Sequence, residues 1–379
     1  CYKYIASFLS ISLLFIMGSV AFNSYVDPYG IMNIGQREEP IPSPMDTNLR
    51  LSKAWVLADL KPNIVIVGNS KNQTALDPEH PLFQGGKTYN ASLPAASIYE
   101  IYRYLQHAVS VGNVKQVVLG LDMLMFRANI PEVYGFKEER LLPNETWGDL
   151  FLPFFSELAS IDTTIYSINH LLNPKWSIHL KNGQRVWDYK AELISQIGHG
   201  QIFKDQKKSH IEYLESIKIS PQEYDNFRNI VILAYENHID LKVFISPLHV
   251  ENLLTIYGED KWNLFESWKR ELVSIMGHEM SYSKVNGSPI MDFANFNEYS
   301  REVISNIGDV KNKMLWHWDY FHYKKTLGDI VLNSLMSSDW NDEYLTEQFG
   351  VYLTNKNIEQ QLLRDSQQRD RLLRKRESQ

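Results

Sequence analysis

Two short segments, far apart in the chain, carry residue types that can together activate a hydroxyl group. The first is Gly68-Asn69-Ser70, which follows the β-branched run Asn63 to Val67. A serine on a tight glycine-containing turn after a buried strand presents its Oγ to the crevice beyond the strand end. Its own N–H can help to hold an oxyanion. The second segment is Trp316-His317-Trp318-Asp319-Tyr320-Phe321-His322-Tyr323. A serine hydroxyl is a poor nucleophile until a base takes its proton. Histidine suits that task near neutral pH, and a carboxylate fixes its tautomer. Asp319 and His322, spaced i, i+3 on a loop entering a helix, supply both from one stretch of chain.

Other polar residues stand where they can line the same crevice. Asn69 adjoins the serine, Asn90 lies between the first strand and the helical stretch from Ile98, and Asp122 and His249 each follow a strand. The plainer roles for these residues are helix capping and hydrogen bonding within loops. Asp292 is an alternative triad acid. His317, Asp319 and His322 are all metal-ligand types, but their spacing fits no familiar zinc motif, so neither a metal site nor a cofactor is expected.

These residues need a scaffold that brings positions about 250 apart into contact. Asn63 to Val67, Gln116 to Leu121, Leu241 to Ser246 and Pro289 to Phe293 read as strands. Helical spacing runs over Leu49 to Leu60, Ile98 to Ser110, Tyr224 to Ala234, Leu264 to Ile275 and Lys324 to Met336. Strands alternating with helices predict an α/β fold, a mostly parallel central sheet flanked by helices. In such sheets ligands bind beyond the carboxyl ends of the strands, where Ser70 falls. The predicted domain covers 61–340. Within it an aromatic-rich insertion over about 126–219 either caps the sheet or packs away from it, since a plain loop of that length is uncommon. Residues 341–379 read as a charged helical tail that solvates the surface.

The Gly-Asn-Ser turn after the first strand and Asp-x-x-His before the last helix match, in order and placement, the first and last blocks of the SGNH hydrolase (GDSL-like) superfamily, which the chain resembles. The resemblance implies a flavodoxin-like three-layer fold with Ser70 as nucleophile, His322 as general base and Asp319 as its orienting acid. Asn69 stands where the family normally has aspartate. Tyr89-Asn90-Ala91-Ser92 and Gly120-Leu121-Asp122 occupy the places of the middle blocks without their usual glycine and asparagine, and the resemblance implies Asn90 as an oxyanion donor from a second-strand loop.

Residues 5–22 (IASFLSISLLFIMGSVAF) are uncharged and long enough to cross a bilayer core. Lys3 before them and Asp27 after favour a cytoplasmic N-terminus, and an anchor is expected rather than a cleaved signal peptide. The sequence opens on Cys1 rather than methionine, read as an incomplete or processed start; lipidation there, directly ahead of an apolar span, is redundant. A proline- and glycine-broken connector leads through 26–48 into the short helix ending at Leu60. Together with the span, the chain resembles membrane-tethered SGNH-like proteins of alginate O-acetylation and teichoic-acid D-alanylation. That implies a single-pass protein with its domain in the periplasm or at the cell surface. Its expected partners are a cell-surface polysaccharide or acyl donor and an assembly complex. The expected activity is an esterase or O-acyltransferase, the alternative a non-catalytic scaffold of the same fold. The 379 residues are 44% hydrophobic, enough for a sizeable core, and carry a net charge of -7 with no basic patch, which argues against nucleic acid. A single cysteine excludes an internal disulfide.

Overall fold

The structure, a computed structural model, describes residues 2–29, 48–128, 135–142, 154–173, 179–215, 217–255, 259–283, 288–336 and 349–378. Most of the predicted connector, the insertion aromatics Tyr134, Trp147, Phe151 and Trp176, and Cys1 lie outside the described residues.

The described residues form a sheet of order β2-β1-β3-β4-β5-β6. Its strands are β1 (Ile64–Val67), β2 (Thr88–Asn90), β3 (Gln116–Leu121), β4 (Asp240–Ile245), β5 (Ile290–Asp292) and β6 (Val351–Leu353). The first five are parallel, and β6 runs antiparallel on the β5 edge with Met291 opposite Tyr352. The fold is therefore α/β, as the alternation of elements predicts. The order 2-1-3-4-5 reverses direction between β1 and β3, which opens a crevice at the carboxyl ends of those two strands.

Near-continuous aliphatic runs form these strands because both faces of the sheet are covered. The period of two divides each run. Val65, Val67, Val117, Leu119, Val243 and Ile245 enter the larger core with helices α4 (Ile98–Val111), α7 (Pro221–Glu236) and α9 (Glu259–Ser283). Ile66, Val118, Phe244 and Met291 point the other way, onto Val331, Leu332 and Leu335 of α10 (Lys325–Met336). Truncating Leu119, which is fully buried, to alanine is expected to cost about 2–5 kcal/mol through lost burial and the cavity left behind.

The sequence reading ended the domain at residue 340, but the fold continues past it. β6 completes the sheet, and α11 (Ile358–Glu377) packs Ile358 and Leu362 into the larger core. Asp365 of that helix lies 3.7 Å from Lys269, beside the fully buried Lys269–Asp292 pair at 2.6 Å. The tail is thus charged on one face and buried on the other.

The N-terminal helix α1 (Tyr2–Val26) is long and apolar enough to cross a membrane, and none of its most apolar window is buried among the described residues. Tyr2 and Tyr4 at one end and Tyr25 at the other are exposed, as side chains of interfacial preference are at the ends of a span. Its last turns pack on α5 (Ile161–Leu172), and α2 (Leu49–Leu60) then leads into β1.

Candidate active site

Ser70 is the first residue of the short helix α3 (Ser70–Ala75), directly beyond the carboxyl end of β1. The turn is set by two asparagines. The Asn69 side chain caps α3 by accepting from the Lys71 N–H at 3.0 Å, and its own N–H donates to Asn72 Oδ1 at 3.3 Å. Asn72 is wedged against Gly120 of β3, where any Cβ would overlap its side-chain amide. Only glycine at position 120 therefore lets α3 sit this close to the sheet.

The segment Trp316 to Lys324 folds back on itself through Trp318 N–H to His322 O (2.9 Å) and Lys324 N–H to Trp316 O (2.7 Å). Inside it Asp319 Oδ1 accepts the N–H groups of Phe321 and His322 at 2.9 and 3.0 Å, the local turn that aspartate favours. The same oxygen meets His322 Nδ1 at 2.9 Å, and His322 Nε2 lies 2.9 Å from Ser70 Oγ. A carboxylate at Nδ1 assigns the proton to that nitrogen and leaves the Nε2 lone pair for the serine hydroxyl, which donates to it. Asp319 is buried, while Ser70 and His322 are partly open to solvent. Burial pushes the Asp319 carboxyl up, but the charges and hydrogen bonds of His322 and Lys190 outweigh it and hold the carboxyl well below the usual range.

The insertion contributes directly to this site. Arg185 N–H donates to Gln73 O at 2.9 Å, fastening the insertion to α3. Trp187 then stands edge-on to the His322 ring at 4.5 Å between centroids. Lys190, in the first turn of α6 (Asp188–Glu215), pairs with the second Asp319 oxygen at 2.8 Å. Behind it, the buried Lys53 ammonium binds the carbonyls of Asn90, Ser92 and Gly183 at 2.6, 2.8 and 3.0 Å, tying α2 and β2 to the insertion. The insertion therefore caps the sheet rather than packing away from it.

Ser70, Asp319 and His322 come together, whereas the other predicted site residues are occupied elsewhere. The Asn69 side chain caps α3 through its Oδ1, a bond that leaves its Nδ2 group as a donor beside Ser70. Asn90 gives both amide protons to the carbonyls of Asn72 and Leu76, each at 3.0 Å, and is fully buried beneath α3. Asp122 caps Leu124 through one oxygen and pairs with Lys71 through the other. His249 donates from Nε2 to Glu302 O at 2.8 Å and accepts Glu251 N–H at Nδ1; burial, followed by the charge of nearby His317, lowers its pKa to about 4 and keeps it neutral. Asp292, the last residue of β5, is fully buried and paired with Lys269. His317 is held at Nδ1 by Glu302 at 3.0 Å while His322 is engaged by Ser70 and Asp319, so the two imidazoles serve separate partners. Among the described residues no group of three histidine, cysteine or acidic side chains converges as metal ligands do.

Lys190, Trp187, Asn72 and Glu302 were not singled out as site residues by sequence reasoning. Asn72, two residues beyond the serine, had a positional signal. Lys190 and Trp187 had none, because the bonds that dock the insertion on α3 and the site follow no sequence motif. No family model matches the chain, and no curated protein matches it.

Proposed function

We propose that this protein is a membrane-anchored, SGNH-type serine esterase or O-acyltransferase whose α/β domain lies outside the cytoplasm. The observation that carries the reading is the unbroken hydrogen-bond chain from Ser70 Oγ through His322 to the buried Asp319 at the carboxyl end of β1. His322 Nε2 takes the hydroxyl proton as Ser70 Oγ bonds to an ester carbonyl carbon. The tetrahedral oxyanion then collapses, the ester C–O bond breaks, and His322 returns the proton to the departing alcohol. The acyl-serine passes its acyl group to water or to a sugar hydroxyl that His322 deprotonates in turn. The substrate class we propose is a cell-envelope polysaccharide or its acyl donor, with the protein as part of an assembly complex.

The Ser70 N–H supplies one oxyanion donor. The commitment of both Asn90 amide protons to structural bonds favours a second reading, a non-catalytic binding component of the same fold, because a missing oxyanion donor lowers turnover by about 10²–10³-fold. Incubating the full chain in detergent with an activated acetyl ester separates the two. Acetylation of Ser70, followed by transfer to water or to added polysaccharide, is the expected result. A folded protein that never becomes acylated supports the binding component.

A further inference from the structure

The helix α5 has its faces reversed relative to a helix on a soluble surface. Thr163 and Ser167 face inward, whereas Ile161, Ile165, Ile168 and Leu172 are 78%, 49%, 44% and 72% exposed. These four fall at i, i+4, i+7 and i+11, within about 60° of one another on the helix circumference and about 150° from the buried pair. An ordinary surface helix buries its apolar stripe and solvates its polar one. Here the small polar side chains are consumed by the outer end of α1. Asn23 Nδ2 donates to Leu158 O at 2.7 Å and Thr164 Oγ1 at 3.0 Å, Ser167 Oγ donates to Asn23 Oδ1 at 2.8 Å, and the Tyr29 and Thr163 hydroxyls share a bond of 2.7 Å.

These bonds place the stripe next to the candidate membrane span. Later residues of the N-terminal segment meet earlier residues of α5, so α5 runs back toward the span and ends at the exposed Leu171 and Leu172. Exposed Tyr25 stands at the end of α1, beside this junction. Aromatic rings are enriched where a protein crosses the headgroup level.

We propose that α5 is a second membrane contact, dipping the C-terminal part of its stripe, Ile165, Ile168 and Leu172, into the outer leaflet beside the span with Ile161 at the headgroup level. This rests on the reading of α1 as a membrane anchor. The occupant is lipid because the stripe continues the apolar surface of α1 across a hydrogen-bonded junction. With two contacts the domain is held at a set orientation to the bilayer instead of swinging on one helix.

The test uses the full chain in phosphatidylcholine vesicles, with Cys1→Ser and one new cysteine at a time: Leu13→Cys, Ile165→Cys, Leu172→Cys, or Val303→Cys as an exposed apolar site remote in sequence from α1 and α5. Each carries an environment-sensitive fluorophore, and nitroxide-bearing lipid is titrated in. The expected result is strong quenching at 13 and quenching at 165 and 172 several-fold above that at 303. Quenching at 13 with 165 and 172 no higher than 303 overturns the second contact and leaves the anchor standing. No quenching at 13 overturns the anchor and this inference with it. Shielding at 165 and 172 that follows protein density and ignores nitroxide lipid assigns the stripe to a second copy, and overturns the lipid contact.

Discussion

Two histidine–carboxylate pairs stand side by side in the loop ahead of α10, and their difference separates chemistry from architecture. In both, a carboxylate meets Nδ1 at about the same distance, 2.9 Å for Asp319–His322 and 3.0 Å for Glu302–His317, and in both it also collects backbone N–H groups. The Nε2 side differs. His322 faces the Ser70 hydroxyl and is partly open to solvent, whereas His317 is buried with no hydrogen-bond partner at Nε2. Glu302 gathers the N–H groups of Leu315, Trp316 and His317, so its pair braces the base of the loop. A histidine–carboxylate contact alone therefore identifies no catalyst. What distinguishes one is an accessible nucleophile at the opposite ring nitrogen.

The largest effects expected are those that break the first pair. Ser70→Ala and His322→Ala should each lower acyl-transfer rate by about 10⁴-fold or more, while His317→Ala leaves it within about tenfold; steady-state ester turnover measures both. Asp319→Asn and Glu302→Gln form the mirrored test. The first should cost about 10⁴-fold in kcat through the wrong histidine tautomer. The second should cost about 1–3 kcal/mol of stability with little change in kcat, because it weakens the acceptor for several buried N–H groups. Thermal unfolding and turnover on the same samples check the pair, and a kcat loss in Glu302→Gln matching that of Asp319→Asn would erase the distinction.

Lys190→Met sharpens the comparison by a smaller step. Lys190 partly neutralises Asp319 from the side away from His322. Its loss leaves a more negative neighbour for the imidazolium, so the acid limb of kcat/KM should move to higher pH while the fold is kept. A uniform fall in rate with an unmoved profile would reduce Lys190 to a packing residue. The smallest difference is expected in acid unfolding. Burial raises both carboxyls, but His322 and Lys190 at Asp319, and His317 with backbone N–H groups at Glu302, leave both below their ordinary values. Each therefore contributes stability that is present above the unfolded carboxyl range near pH 4 and is lost as pH falls below it. Asp319→Asn and Glu302→Gln should both flatten the melting temperature against pH below about 4.

The strands β1, β3, β4 and β5 were legible because strands inside a covered parallel sheet need near-continuous apolar runs. β2 (Thr-Tyr-Asn) and β6 (Val-Tyr-Leu) were not read as strands, since three residues on a sheet edge carry too little pattern and depend on their partners for pairing. In the site, Ser70, Asp319 and His322 were legible from residue type and order. Asn69, Asp122 and His249 lie at a turn and after strands, as read, and Asn90 closes a strand that was not, but side-chain direction is set by which groups need partners. Each was drawn into a cap, a carbonyl pair or an ion pair. Trp187 was visible only as one of several insertion aromatics, and Lys190 lay hidden, because the bonds that dock the insertion on α3, Arg185 N–H to Gln73 O and Gln73 to His179 among them, follow no sequence motif. The reversed helix α5 illustrates the same limit: its period is visible in sequence, but which face turns outward depends on Asn23 and Tyr29, more than 130 residues away.

The central claim is that Ser70 is a nucleophile activated by His322, and a serine-directed phosphonate tests it most directly. Intact-mass and peptide analysis of the wild type, Ser70→Ala, His322→Ala and His317→Ala after exposure to the reagent should show one adduct, on Ser70. It should form at near-wild-type rate in His317→Ala, slowly in His322→Ala and not at all in Ser70→Ala. A wild-type protein that stays unmodified while folded, or an adduct at Ser70 whose rate is indifferent to His322, would contradict the account.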